Sequence, residues 1–104
     1  MKLLTHDNEK RKTLPVFTGA VMYFPDALLA VSHVSIGGNN QYHPDKHLHW
    51  DKSQPHDHLD SLLRHAIEGD WEKVAWRALA QLQNEIDNGY VPEGMEVRDE
   101  SRTS

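Results

Sequence analysis

The apolar positions of the chain recur at helical spacing in three stretches. In the middle stretch, from about residue 55 to 68, they follow the i, i+3, i+4, i+7, i+8 pattern of an amphipathic helix: Leu59, Leu62, Leu63, Ala66 and Ile67. An earlier stretch begins at Pro25, which suits a first helical turn because the N–H that proline lacks has no helical partner there. Glycines at 37 and 38 are expected to end it. The last stretch runs from about residue 71 to 88. The pattern predicts a small all-α bundle of three to four helices.

The segments around these helices are predicted to be less regular. Residues 14–24 are apolar and interrupted by a glycine, and we expect an extended arm packed on the domain. Residues 39–54 form a long polar, histidine-rich loop, and loops of that length in compact domains are typically functional or disordered. Residues 1–13 are interpreted as a flexible N-terminus and residues 90–104 as a loose C-terminal tail. A single domain over residues 14–89 remains.

The last predicted helix carries an unusually broad apolar arc. Its members are Trp71, Val74, Ala75, Ala78, Leu79, Leu82 and Ile86, and it is widened by Trp76 and Ala80. A helix buried so far around its circumference is central or packs against a partner subunit. A chain of 104 residues has little else to cover it, so we expect a homo-oligomer, most simply a homodimer. Glu85 projects into the edge of the arc, where its carboxylate would be paired, bind a cation or reach solvent at the helix end.

Composition and charge exclude several classes of protein. The net charge of -5 argues against a nucleic-acid groove, which needs clustered Lys and Arg. There is no cysteine, so disulfides and thiolate metal sites are excluded, in keeping with a reducing cytoplasm. We expect no membrane span, because no apolar run reaches the roughly 18 residues required, and no signal-peptide pattern is present. Phosphate-binding glycine loops of the P-loop and dinucleotide-binding types are also absent from the sequence.

Histidine is the unusual component of this composition. Five of the eight histidines fall between residues 43 and 58, in a tract that could bind transition metals or simply form a polar loop. In the same tract Trp50 could stack on a nucleobase, as could the preceding Tyr42. The alternative for Trp50 is a structural one, in which the indole anchors the loop to the core.

Polar residues on the two later helices are the candidates for chemistry. His58 and His65 are seven residues apart and lie nearly over one another on one shoulder of the middle helix. Asp60 lies on the opposite shoulder. Sites in helical bundles are built from residues that lean into the seam between helices, although a half-buried helix edge would show the same pattern. Arg77 on the last helix could meet a phosphate or pair with a nearby acid.

Short motifs across residues 14–85 resemble a bacteriophage family of dATP/dGTP diphosphohydrolase domain proteins, related to the MazG and MazZ nucleotide pyrophosphohydrolases. They occur in the family's order and span about two thirds of the chain. The matching pieces are Tyr23-Phe24-Pro25-Asp26-Ala27-Leu28, Val34-Ser35, Gly38-Asn39, Pro44, Leu48-His49-Trp50, Asp57-His58-x-Asp60, Leu63-Arg64-His65 and Lys73-Val74-Ala75-Trp76-Arg77-Ala78-Leu79-Ala80.

The resemblance implies a MazG-like fold that uses Mg²⁺ or Mn²⁺ to convert a purine deoxynucleoside triphosphate to the monophosphate and pyrophosphate. Carried over by position, it implies catalytic roles for Asp57, His58 and His65. The implied metal ligands are Asp57, His58, Asp60, His65 and Asp70. The implied substrate contacts are Asn39, His49, Trp50, Arg64, Lys73 and Arg77. A metal would neutralise triphosphate oxygens and activate water, while a nearby base takes the proton.

Two departures from the family keep a second hypothesis open. The acidic pattern Glu-Glu-x-x-Glu of MazG proteins is absent, and a histidine-rich shell suits a transition ion better than Mg²⁺. The turn at residues 68–70 is also short, and Asp70 stands where relatives carry a histidine. The leading hypothesis is an enzyme that remodels the purine nucleotide pool in the cytoplasm of a phage-infected host. The alternative is a non-catalytic phage accessory protein that binds nucleotide or a host protein.

Overall fold

The computed structural model describes residues 2–5, 12–42, 45, 47–51 and 57–99. Within these ranges the chain forms a small helical bundle, which confirms the predicted all-α class, together with one short pair of strands. The predictions for the rest of the histidine-rich loop fall outside the described residues. None of the described helices is long and apolar enough to cross a membrane.

Three helices make the bundle, as the apolar spacing predicts. They are α1 (Pro25–Tyr42), α2 (His58–Glu68) and α3 (Trp71–Asp87). α2 ends at Gly69, whose φ of 81° lies in the left-handed region that favours glycine. The two residues Gly69 and Asp70 reverse the chain, and α3 begins at once. α2 and α3 are therefore packed as a hairpin.

α1 is longer than the sequence predicts. The prediction that Gly37 and Gly38 end it is wrong, because the helix continues through both to Tyr42. A glycine inside a helix costs only about 1 kcal/mol relative to alanine, which tertiary contacts can offset. Here the added turn buries Asn39, whose side-chain Oδ1 accepts a hydrogen bond from the backbone N–H of His49 at 3.4 Å. The long loop accordingly begins after Tyr42.

The segment predicted as an extended arm is partly helical. Residues Phe17–Val21 form a single turn of π-helix, with Met22 N–H donating to the carbonyl of Phe17 at 2.8 Å. Most of this segment is exposed, including Phe17, Tyr23 and Phe24. It does not pack on the bundle as an extended arm would, because its backbone hydrogen bonds are satisfied within the turn.

The two ends of the chain form an antiparallel strand pair. β1 (Lys2–Thr5) pairs with β2 (Glu96–Asp99), with Lys2 opposite Asp99. Sequence analysis assigned these positions to a flexible N-terminus and a loose tail. Pairing across the whole length of a chain leaves no local signature, because strands of four residues are too short to show alternation.

α3 is the central helix, since it packs against both α1 and α2. It buries only part of the predicted apolar arc. Ala80 and Ile86 are fully buried, whereas Trp71, Leu79 and Leu82 are exposed. The homo-oligomer expected to cover the arc stays a prediction.

α2 likewise buries His58 and Ser61 of its polar shoulder. Of its apolar stripe, Leu59, Leu63 and Ile67 are exposed, and the other two residues are half-buried.

Candidate functional site

The buried polar shoulder of α2 meets α3 in a cluster of rings and charge. His58, at the first position of α2, is 3% exposed. Its ring lies 6.0 Å from the ring centroids of both Trp50 and Trp76, and the two indoles meet edge to face at 5.6 Å. Arg77 Nη1 lies 3.0 Å from His58 Nδ1. We call Trp50, His58, Trp76 and Arg77 the aromatic–arginine cluster.

Arg77 determines which ring nitrogen of His58 carries the proton. A guanidinium has five N–H donors, no acceptor, and stays charged. His58 Nδ1 therefore accepts the hydrogen bond from Arg77, which leaves the proton of the neutral ring on Nε2. Binding a metal through Nε2 would move that proton to Nδ1, where the N–H would face the positively charged guanidinium of Arg77. In this arrangement His58 is held by Arg77, and its buried Nε2 is not suited to ligate a metal.

The guanidinium of Arg77 has two further neighbours. Its Cζ lies 5.4 Å from the centroid of the Trp76 ring, within the range of a cation–π contact. Its Nη1 is 4.0 Å from Asp57 Oδ1, at the limit of an ion pair with an exposed carboxylate. The positive charge is thus held at the start of α2, partly exposed, where an incoming anion could displace the weak Asp57 contact.

Contacts to α1 fix the position of this cluster. Trp76 Nε1–H donates to Ser35 Oγ at 2.7 Å, joining α3 to α1 across 41 residues. The contact between Asn39 and His49 holds the end of the loop next to Trp50. Trp50 is half-buried against His58 and Trp76, so the structural interpretation of this indole as a loop anchor describes its contacts. The side chain of Tyr42 lies outside the described residues.

A second group of polar side chains surrounds the turn between α2 and α3. His65 Nδ1 lies 3.8 Å from Glu68 Oε2 and 3.6 Å from Asp70 Oδ2. This nitrogen is buried and makes no hydrogen bond within the part of the chain that the structure describes. The ligand atoms of the three residues lie within 4.8 Å of one another, so the group could hold a metal ion. We call His65, Glu68 and Asp70 the turn cluster.

The local sequence explains how the turn cluster forms. His65 and Glu68 are three residues apart and share a face of α2. The left-handed Gly69 then folds the chain back, so that the Asp70 N–H donates to the carbonyl of His65 at 3.0 Å. Ligand atoms around an ion at about 2.1 Å lie roughly 3–4 Å apart, so small side-chain movements would complete the site. Sequence analysis missed Glu68, although its spacing from His65 just before a helix-ending glycine was a usable signal.

The predicted metal residues do not meet at one point. His58 and His65 share a face of α2, but seven residues at 1.5 Å each separate them by about 10 Å along the helix. Asp57 lies with the first cluster, and Asp70 with the second. Asp60 is exposed and belongs to neither group. Four of the five predicted ligands therefore divide between two places and Asp60 lies outside both, so a single ion cannot use them all.

The remaining predicted residues lie apart from both clusters. Arg64 is exposed and its Nη2 donates to Ser61 Oγ at 3.4 Å. Lys73 is exposed in the first turn of α3. Glu85 is also exposed, and its Oε1 accepts a hydrogen bond from Gln81 Nε2 at 2.7 Å. Its carboxylate therefore reaches solvent at the helix end, one of the three options given for it, and is hydrogen-bonded there.

Comparisons of the chain with protein-family models, with curated proteins and with solved structures found no match. The resemblance to the phage diphosphohydrolase family accordingly stays a prediction from short motifs.

Proposed function

We propose that the protein is a metal-dependent nucleotide pyrophosphohydrolase that converts a purine deoxynucleoside triphosphate, dATP or dGTP, to the monophosphate and pyrophosphate. The observation that carries the proposal is the placement of two complementary groups on one face of α2. The turn cluster offers an imidazole and two carboxylates, and the aromatic–arginine cluster offers a cation beside indole rings. The histidines of the two groups lie about 10 Å apart along the helix.

The donor set of the turn cluster determines which ion fits. Mg²⁺ prefers oxygen ligands and near-ideal octahedral geometry, whereas imidazole suits transition ions. His65, Glu68 and Asp70 together therefore favour Mn²⁺ over Mg²⁺. The bound ion would polarise a phosphoryl oxygen and supply a nucleophilic water at neutral pH.

The aromatic–arginine cluster would bind and orient the substrate. Arg77 would exchange its 4.0 Å contact with Asp57 for a phosphate oxygen, a stronger charge-assisted hydrogen bond. His58, which is buried, would hold Arg77 in position through Nδ1 and would not act as a metal ligand. Trp50 is half-buried, and a base would stack on the exposed part of its ring face.

The first experiment measures pyrophosphate release from a panel of dNTPs and NTPs with Mg²⁺ or Mn²⁺ and a chelator control. We expect chelator-sensitive release from dATP or dGTP, faster with Mn²⁺. Glu68→Gln should raise the Mn²⁺ concentration that gives half-maximal rate by about tenfold or more. Even the loss of a residue that only supports a metal ligand lowers metal affinity by about that factor. Glu72→Gln is the matched control, because Glu72 is exposed in the first turn of α3 and lies outside the turn cluster. Equal effects of the two changes would remove the turn cluster from the proposal.

A second pair of variants tests the substrate side. Arg77→Met should raise the KM for the nucleotide roughly tenfold or more, since hydrogen bonds to charged groups contribute about 1.5–3 kcal/mol. Arg64→Met is the informative comparison. The family resemblance predicts a substrate role for Arg64, whereas its side chain lies against Ser61 in the structure. A large effect at Arg64 with none at Arg77 would contradict the substrate site proposed here.

The exposed apolar side chains of α2 and α3 favour one alternative, a non-catalytic phage accessory protein that binds nucleotide or a host protein. The two functions are separated by turnover. Folded protein that binds dATP or dGTP but releases no pyrophosphate with any divalent ion would support the accessory role. In either case the proposed location is the cytoplasm of the infected host.

A further inference from the structure

The two indoles of the aromatic–arginine cluster are both held from α1. Trp76 Nε1–H donates a hydrogen bond to Ser35 Oγ at 2.7 Å. Four residues later on α1, Asn39 Oδ1 accepts a hydrogen bond at 3.4 Å from the backbone N–H of His49, the residue that precedes Trp50. Residues four apart lie on one face of a helix. A single face of α1 therefore contacts both α3 and the loop of the cluster.

The ring of Trp76 contacts every other member of the cluster. Its centroid lies 5.6 Å from that of Trp50 and 6.0 Å from that of His58. The guanidinium carbon of Arg77 lies 5.4 Å from the same ring. A tryptophan side chain turns about only two torsions, and the hydrogen bond to Ser35 fixes the far end of the indole. A change at Ser35 should therefore displace the second indole and the cation through Trp76.

Asn39 is placed to hold the loop and not to meet a ligand. It is 8% exposed, so little of its surface is open to a nucleobase. The last turn of α1 also depends on this residue, because Gly37 and Gly38 just before it are poor helix formers. The contact with His49 therefore supports the end of α1 and the loop together. The family resemblance implies a substrate contact for Asn39 instead.

We propose that Ser35 and Asn39 are positioning residues for the nucleotide site. Ser35 holds the indole of Trp76. Asn39 holds the loop that carries Trp50. The proposal rests on the proposed function, in which a base stacks on Trp50 and a phosphate meets Arg77. Loss of either positioning residue should weaken nucleotide binding and leave metal binding unchanged, because the turn cluster is built from α2 and its turn alone.

The first test measures the geometry of the indole pair without any substrate. Two indoles at 5.6 Å couple electronically and give paired circular-dichroism bands of opposite sign, which a difference spectrum against Trp50→Phe isolates. Ser35→Ala and Asn39→Ala should each reduce these paired bands in protein that remains helical. Ser32→Ala and Gln41→Ala are the matched controls, since both residues are exposed on α1. Unchanged bands in Ser35→Ala or Asn39→Ala would overturn the positioning role of that residue.

The second test separates KM from kcat in nucleotide hydrolysis. Ser35→Ala and Asn39→Ala should each raise the KM roughly two- to tenfold, the factor expected for loss of one hydrogen bond. The kcat and the Mn²⁺ dependence should stay at wild-type values, and Ser35→Thr, which keeps the hydroxyl, should restore the KM. Altered bands with an unchanged KM would refute the link to the nucleotide. A wild-type protein that neither binds nor hydrolyses dATP or dGTP would refute the proposed function, whereas the paired bands would still show whether the two residues hold the indoles.

Asn39→Asp distinguishes positioning from direct contact with the base. Aspartate keeps an acceptor oxygen for the N–H of His49, but it loses the amide donors that an asparagine directs to a purine. A positioning residue should therefore retain more nucleotide affinity as aspartate than as alanine. If Asn39→Asp raises the KM as much as Asn39→Ala while the paired bands are unchanged, Asn39 contacts the base itself and the proposal is refuted for this residue.

Discussion

The hydrogen bond between Trp76 and Ser35 makes the packing of α1 on α3 measurable. Trp76 Nε1–H donates to Ser35 Oγ at 2.7 Å, and both residues are half-buried. Replacing Ser35 by alanine removes the acceptor, and replacing Trp76 by phenylalanine removes the donor while keeping an aromatic ring. The two single changes and the double change form a thermodynamic cycle that isolates this contact.

The expected free energies follow from the local environment. A buried or half-buried hydrogen bond contributes about 0.5–1.5 kcal/mol to the free energy of unfolding. Serine to alanine inside a helix gains about 0.5 kcal/mol in helix propensity. Ser35→Ala alone should therefore cost up to about 1 kcal/mol, whereas in the Trp76→Phe background it should stabilise by about 0.5 kcal/mol. The coupling is about 1 kcal/mol, or about 4–8 °C in Tm for a domain of this size.

Urea unfolding followed by far-UV circular dichroism measures this coupling. The protein concentration must be equal for all variants, because association stabilises the folded state. Ser32→Ala is the matched control, since Ser32 Oγ donates to the Leu28 carbonyl of its own helix at 2.9 Å and touches no other element through that bond. It should show the propensity gain in both backgrounds and no coupling to Trp76. If the coupling at Ser35 is as small as that at Ser32, the packing argument for α1 is refuted.

The remaining predictions concern the backbone, the histidine tautomer and the chain ends. Gly69→Ala should destabilise by about 1–2 kcal/mol, because alanine resists the left-handed φ of 81°; Gly37→Ala should instead stabilise by about 0.5–1 kcal/mol, since it lies in α1 with nothing within 4 Å of the added Cβ. If both substitutions shifted the melting temperature in the same direction, this reasoning would be contradicted. Proton–nitrogen correlation spectra should show His58 protonated on Nε2, and Arg77→Met should mix the two tautomers; a wild-type ring protonated on Nδ1 would refute the assigned hydrogen bond. Deleting residues 1–5 should remove β1 but leave the cooperative helical melt, and loss of that melt would contradict a domain that begins at residue 14.

Local signals in the sequence located the helices because the ends of each helix depend mostly on residues close by in the chain. α2 and α3 end as predicted at Gly69 and just before Gly89, both of which have positive φ. The end of α1 was mispredicted because the deciding contact is not local. Asn39 is held by His49 ten residues later, and no propensity of Gly37 reports that contact. The β1–β2 pair is invisible for the same reason, since its partners are almost a whole chain apart.

The candidate site could be predicted in part from helical spacing. The placement of His58 and His65 on one face of α2 follows from the period of the helix alone. Their assignment to a single metal site did not follow, because the same geometry separates them by about 10 Å. The spacing also gave no account of Arg77, whose contact with His58 Nδ1 depends on how α3 packs. That contact makes His58 Nδ1 an acceptor, and only tertiary structure could have shown it.

The inversion of α2 determines the surroundings of the proposed site. A helix with one apolar and one polar face can bury only one of them within a small chain. Here the polar face with His58 and Ser61 is turned inward, where low solvent exposure strengthens hydrogen bonds and ion pairs. Burying polar groups contributes less to folding than burying apolar ones, and among the described residues the fully buried apolar side chains are Ala80 and Ile86. The burial of His58 therefore strengthens its contact with Arg77 and lowers the stability of the single chain.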